Sequence, residues 1–361
     1  MSDPVRRHYE LYPYPSYPLL ASVRRCDTYA LNLTALWARF NGEMPPATAM
    51  RILIAGCGSF APYPFALSNP DADICALDLS SQSLRRARLH CLLHGRRNVA
   101  FQCGDLLEPS KASGTYGLVD SYGVLHHLDD PLAGLKALAA RLVDGGILRI
   151  MLYSRYARRS EESIRRAFRM LGVSDPARAR KILRGAKHGS RLRRFLDSSW
   201  EAASGAGLAD ALLHPCVHTY RIDEFMALVL QSGLEPLLFA HDNALPDTGL
   251  EIERIRRLEA LKDSPGNFVL YLGRNVQGPC RDERRKFIVL NPCLGFAVGA
   301  LGLGTRQIPP RLGHPNPLLG RQERLFLRRF THPVPCDSLS SQEQKVAASY
   351  IQSLFLLQYR Q

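Results

Sequence analysis

The sequence predicts an α/β fold built on a doubly wound, largely parallel sheet, and three observations predict it. The stretch RILIAGCGS at 51–59 is an apolar strand pattern that runs directly into a glycine turn at Gly56 and Gly58. Two further apolar runs, ICALDLS and VAFQCGDLL, end on acids, Asp78 and Asp105. Strand-like and helix-like stretches alternate through residue 154, the pattern of βαβ units rather than of successive hairpins.

The elements follow in order. Prolines in the first twenty residues predict extended or turn geometry there. The tyrosines at 9, 12, 14 and 17 are expected to pack over the next domain. Thr28–Phe40 reads as an amphipathic helix, followed by a proline-rich linker into the first strand. Ser80 can cap a helix over 81–94, with Gly95 closing it. Pro131 suits the first turn of a helix over 131–143, ended by Gly145-Gly146, and ILRIMLYS at 147–154 reads as a buried strand. Residues 155–197 hold fourteen Lys/Arg against four Asp/Glu, with helical spacing over 161–171, 176–185 and 191–196. This reads as a helical insertion over 155–210. A helix at 222–232, a strand at 234–240 and a closing strand at 267–275 complete the sheet. The domain division is an arm and helix over 1–49 acting as a lid, a central domain over 50–277, and a C-terminal appended domain of unknown role over 278–361. The last of these has helical patterns at 322–330 and 341–359.

Composition narrows the function classes. The nine cysteines form no CxxC pair and no zinc spacing, so no metal site is expected. Cys57, Cys75 and Cys103 sit in apolar runs as small hydrophobes, which suits a reducing cytoplasm. The N-terminal MSDPVRRHYE is polar and unlike a secretion signal. The apolar stretch 287–303 is interrupted by Asn291, Pro292 and glycines and is too short to span a bilayer, so it reads as buried core. A net charge of +14 fits an acidic partner such as RNA or anionic lipid, or an arginine excess that reflects nothing more than a high-GC coding bias.

The strand ends carry the chemistry. Glycines at 56 and 58 let the backbone turn tightly and approach a ligand. Asp78 stands where an acid hydrogen-bonds a ribose diol. Asp105 is placed to reach an adenine amino group. Together with VLHHLDDP at 124–131, this set resembles the class I S-adenosylmethionine-dependent methyltransferases over about residues 50–155. The resemblance implies a Rossmann-like seven-stranded sheet with a helical insertion and a small C-terminal extension. It also implies S-adenosylmethionine as cofactor, with Ala55, Gly56, Cys57 and Gly58 beneath it. Asp78 and Leu79 would hold the ribose, Asp105 and Leu106 the adenine. Ser121 and Tyr122, beside Asp120, would face the methionine end. The sequence departs from the family at Ile54, where an acid is common, and at Phe60, where a third glycine is. The rival nicotinamide pattern GxGxxG meets Ala61 instead of glycine.

Two flanking phrases extend the resemblance to a bacterial group of methyltransferases with an arm of the form VxxQYExxPYPxW. Tyr9, Glu10, Pro13, Tyr14 and Pro15 match; His8 replaces the Gln and the Trp is absent. This implies Tyr9 and Tyr14 as a lid over cofactor and substrate. The phrase LHP…HTY singles out His214, His218 and Tyr220, with His214 and Tyr220 facing substrate.

Methyl transfer from a sulfonium needs alignment and exclusion of water, and a base only where the nucleophile arrives protonated. His126, His127 and His218 are the expected bases, with Tyr14 beside them. The expected function is methyl transfer to an N or O nucleophile of a small molecule or protein side chain. One alternative is an RNA (tRNA or rRNA) methyltransferase using the basic 155–197 helices. Another, motivated by Ile54 and Phe60, is a non-catalytic binding protein that retains the fold. A homodimer is compatible with either.

Overall fold

Five- to seven-residue apolar runs form most of the strands, and short side-chain caps place most of the helices around them. The computed structural model describes residues 3–279, 286–299 and 304–360. It opens with helix α1 (Asp3–Leu11), a 3-10 turn at Arg25–Leu31 and α2 (Leu33–Asn41). The sheet then builds through β1 (Arg51–Ala55), α3 (Pro62–Ser68), β2 (Asp73–Asp78), α4 (Ser81–Leu93), β3 (Val99–Cys103), β4 (Tyr116–Tyr122), α5 (Pro131–Ala139) and β5 (Leu142–Leu152). The insertion carries α6 (Arg159–Met170), α7 (Pro176–Gly185), α8 (Arg191–Ser198), α9 (Gly205–Leu208) and a π-helical turn at Ala209–Leu213. Next come α10 (Ile222–Ser232), β6 (Glu235–Phe239), α11 (Thr248–Ala260) and β7 (Phe268–Gly273). The C-terminal region adds β8 (Lys286–Leu290), α12 (Gly295–Gly299), α13 (Arg321–Arg328), β9 (Val334–Pro335), α14 (Ser341–Gln352) and β10 (Leu356–Arg360).

The seven-stranded sheet has the order β3-β2-β1-β4-β5-β7-β6. Strands pair in parallel except β7, which runs antiparallel to both β5 and β6. The order reverses between β1 and β4, so their carboxyl ends open the crevice in which doubly wound sheets bind ligands.

Several expectations are corrected. The N-terminus is helical, because Pro4 falls in the first turn, where no N–H is needed. The prolines at 13, 15 and 18 follow that helix. The helix expected over 28–40 is split at Asn32, whose side chain accepts from Ala35 N at 2.9 Å and starts α2. Helix α5 stops at Ala139, and Gly145-Gly146 lie inside β5, where Gly145 N bonds Arg274 O at 2.7 Å. The pattern over 341–359 divides into α14 and β10, because the apolar residues near the end pair antiparallel with β8. Helix α11 was not anticipated; Asp247 caps it through Leu250 N at 2.8 Å. The apolar stretch 287–303 holds β8 and α12, and its residues 300–303 lie outside the described ones.

The C-terminal region forms a three-stranded sheet in the order β10-β8-β9. Its Leu290, Phe330, Tyr350 and Phe355 join Tyr29, Leu36, Trp37 and residues of β1 and β2 in one apolar core. The insertion has a separate core around Phe168, Leu183, Phe195 and Leu212.

Candidate active site

The glycine turn after β1 is held by the strand beside it. Gly56 N and Cys57 N both bond Leu77 O, at 2.8 and 3.0 Å. Gly56 has φ +78°, and a Cβ there would lie 2.3 Å from Val124 Cγ2. Gly58 has φ +56°, and a Cβ there would lie 2.5 Å from the Tyr14 carbonyl oxygen. Only glycine meets both demands without strain. Asp78, at the end of β2, accepts from Gly58 N at 2.7 Å and from Ser80 N at 2.9 Å. Burial pushes its carboxyl up to about 6, against the lowering effect of these two bonds.

The N-terminal arm lies across this turn. Ser59 N donates to Tyr14 O at 3.2 Å, and Ser59 Oγ donates to Pro15 O. Ser80 Oγ reaches Tyr9 O at 3.1 Å, and Ser81 N reaches Glu10 Oε1 at 2.6 Å. The phenol of Tyr9 then crosses to the insertion and donates to Asp210 Oδ1 at 3.0 Å. These contacts enclose a cavity of about 490 Å³. Its floor is Gly56–Gly58, Asp78, Leu79, Gly104 and Leu106; its roof is Tyr9, Tyr14, Tyr153, Trp200, Glu201 and Asp210.

Asp210 sits on the π-helical turn, a geometry often found at functional sites. Burial, reinforced by the Glu201 charge, raises its carboxyl to about 7. Glu201 is itself paired with Arg158, at 2.7 and 3.2 Å, and the Arg158 guanidinium lies 4.1 Å from the Tyr153 ring centre. Asp120 and Arg149, from β4 and β5, form a 2.5 Å ion pair in the wall below. Arg149 stacks 5.0 Å over Tyr122.

Four histidines crowd the roof's inner side. His127 and His214 rings are 3.8 Å apart, His8 lies 4.7 Å from His214, and His126 stacks on Tyr153 at 3.7 Å. Burial lowers His8 to about 4 and His127 to about 3, and also lowers His126 and His214. All four are therefore neutral imidazoles near pH 7, and weak bases.

Gly56, Cys57, Gly58, Asp78, Leu79, Leu106 and Tyr122 line the cavity, as do Tyr9, Tyr14 and His127. Ala55, Ser121, His126, His214, His218 and Tyr220 do not. Ala55 and Ser121 are buried in the sheet. His126 is sealed behind Tyr153, and Tyr220 packs in the apolar core. His214 supports Tyr9 and His127 from behind, with ring centres 5.3 and 3.8 Å away. His218 N bonds His126 O at 2.8 Å, and its ring nitrogen lies 3.5 Å from Cys216 Sγ. Asp105 follows β3 and accepts from Leu107 N at 2.9 Å, while its neighbours Gly104 and Leu106 face the cavity. Phe60 packs against Tyr17, His90 and Tyr63 and forms a wall of the cavity without filling it.

Asp210, Arg158, Glu201, Trp200 and Arg149 were not among the sequence candidates. A charged residue inside the apolar run ILRIML was a legible sign for Arg149, since unpaired charge is rarely buried. Asp210 opens the phrase DALLHP, but only its contact with Tyr9 distinguishes it from a surface acid.

Residues 53–148 match the family model described as a methyltransferase domain. An uncharacterized protein of Synechococcus sp. is 29% identical over 296 residues, covering 74% of this chain and 70% of that one. A ubiquinone biosynthesis O-methyltransferase of Idiomarina loihiensis is 35% identical over 99 residues, which cover 27% of this chain and 39% of that protein. Among solved structures, PKMT2 from Rickettsia typhi superposes with a TM-score of 0.55 at 14% identity, covering 95% of this chain and 77% of that one.

Proposed function

We propose, from the premise that the chain belongs to the S-adenosylmethionine-dependent methyltransferases, that it methylates an amine nitrogen admitted beneath the arm and the insertion. The observation that carries the amine is Asp210, a buried carboxyl with no cation hydrogen-bonded to it among the described residues, in a cavity roof that also holds Tyr9, Tyr14, Tyr153 and Trp200. The other roof carboxylate, Glu201, is paired with Arg158. Carboxylates and aromatic faces both attract an alkylammonium ion. The Rickettsia typhi neighbour, whose complex with AdoHcy has been solved, supports a nucleoside at this rim. The O-methyltransferase match covers the cofactor half only and does not bear on the acceptor.

The fit to the cofactor rests on the glycine turn and Asp78 lining the same cavity. We assign Gly56, Cys57 and Gly58 to the methionine side, Asp78 and Leu79 to the ribose, and Gly104 and Leu106 to the adenine. Bound there, S-adenosylmethionine supplies an electrophilic methyl group on a sulfonium. Tyr9 and Tyr14 cover the turn and exclude water, which strengthens every charge interaction inside. An ammonium must lose a proton before its nitrogen can attack. Asp210, raised to about 7, is balanced to take that proton near neutral pH, as general bases are. His127 keeps its Nδ1 on the Cys216 carbonyl at 2.8 Å and serves as a wall. The absence of paired cysteines among the described residues agrees with a reducing cytoplasm, where we place the protein.

A panel of primary and secondary amines, with matched alcohols and phenols, tests this by mass spectrometry in the presence of S-adenosylmethionine. Amines are expected to gain 14 mass units (roughly one methylene) per turnover. Asp210→Asn is expected to lower turnover about 10²–10⁴-fold with S-adenosylhomocysteine affinity unchanged. Turnover of phenols with none of amines would replace the amine reading.

A further inference from the structure

The basic insertion has an outer face that the methyltransferase chemistry does not use. All four acids of 155–197 already have partners within the chain, Asp175 and Asp197 at its exposed surface. Glu161 pairs with Arg158 at 3.3 Å, and Glu162 accepts from Thr219 Oγ1 at 2.8 Å. Asp175 caps α7 through Arg178 N at 2.8 Å, and Asp197 pairs with Arg193 at 3.1 Å. Helices α6, α7 and α8 turn Phe168, Leu183 and Phe195 into their shared core. Arg166, Arg169, Lys181, Arg184 and Arg194 consequently stand exposed, with no carboxylate partner among the described residues. At the end of α6, beside Arg166 and Arg169, lies an apolar tip. Gly172, at φ +61°, turns the chain so that Val173 N bonds Phe168 O at 2.9 Å and Val173 returns to the core. Met170 and Leu171 remain outside, 83% and 63% exposed. Arg178 reaches back to Gly172 O at 3.5 Å, so α7 contributes a cation to the same tip.

We infer that the α6–α7 tip docks on an anionic lipid surface, with Met170 and Leu171 entering the acyl boundary and Arg166, Arg169 and Arg178 meeting the phosphates. Cations alone would fit a nucleic acid equally well. The exposed apolar pair decides between them: it gains nothing against a phosphodiester backbone, whereas a bilayer interface buries it. Cationic side chains near an anionic leaflet each add about a factor of five in affinity. No helix among the described residues is long and apolar enough to cross a membrane, so the contact would be peripheral. This inference stands on the outer face of the insertion and is independent of the acceptor assigned above.

The test is cosedimentation of the full chain with phosphatidylcholine vesicles and with phosphatidylcholine–phosphatidylglycerol vesicles, alongside a transfer-RNA mobility shift. Binding is expected to the phosphatidylglycerol vesicles alone, weakening as salt rises. Met170→Ser with Leu171→Ser is expected to weaken it about tenfold. Arg166→Glu, Arg169→Glu and Arg178→Glu together are expected to abolish it. All these variants should keep S-adenosylhomocysteine affinity and thermal midpoint, which separates lost docking from lost folding. Failure to sediment with anionic vesicles, a transfer-RNA shift in place of vesicle binding, or vesicle binding indifferent to the Met170 and Leu171 changes would each overturn the proposal.

Discussion

The floor of the cavity and its roof are built in opposite ways. The floor comes from the ends of β1, β2 and β3, and its turn is tied through backbone N–H groups: Gly56 and Cys57 to the Leu77 carbonyl, and Gly58 to the Asp78 carboxylate. The roof comes from the arm, the end of β5 and the insertion, and is tied largely through side chains: Tyr9 to Asp210, and Arg158 to Glu201. A backbone-built floor tolerates almost no change in residue type at its turn. A side-chain-built roof can exchange single groups at modest cost to the fold while its chemistry changes sharply.

That contrast should appear in stability and binding measurements. Gly56→Ala should be the most severe change in the floor. The added methyl meets Val124 and the φ is left-handed, so cofactor affinity should fall by about 3 kcal/mol or more. Adding Val124→Ala should recover only the collision and not the strain; full recovery by calorimetry would show that φ is immaterial there. Asp78→Ala should weaken S-adenosylhomocysteine binding by about 1–3 kcal/mol. In the unaltered protein that affinity should decline as pH falls through about 6, because protonation removes the acceptor. A flat calorimetric profile from pH 8 to 5 would count against the ribose assignment.

The roof should respond to pH in two directions. His127 is lowered to about 3, so between its ordinary value of about 6.5 and 3 the unfolded chain binds the extra proton. Stability is therefore complete above that ordinary value and is lost as pH falls toward 3. Asp210 is raised to about 7, so the folded chain keeps a proton that the unfolded chain has released above about 3.9. Its contribution falls as pH rises through that window, and Asp210→Asn should remove this slope. Urea midpoints between pH 5 and 8 resolve both signs. Tyr9→Phe should be mildest, at about 1 kcal/mol of stability for one lost hydrogen bond.

The floor is legible in the sequence, since a glycine turn, an acid twenty-two residues on from Gly56 and alternating apolar runs are local signals. The same local reasoning failed where one residue redirects the chain, as Asn32 does when it starts a new helix. It also nominated His126 and His218 as bases because they stand in recognisable phrases, although neither lines the cavity. Asp210 and Trp200 carry no such phrase. The C-terminal region looked separate because its apolar runs follow a charged linker, yet its side chains join α2 and β1 in one core.

Residue order alone settled the strand ends and the turn geometry, because backbone conformation and alternation are decided within a few neighbouring residues. Which carboxyl would be buried beside which phenol, and which imidazoles would be stripped of water, was decided only when the arm and the insertion closed over the sheet. Desolvation is a property of what surrounds a group, and those surroundings come from stretches up to two hundred residues away in the chain, as Tyr9 and Asp210 illustrate.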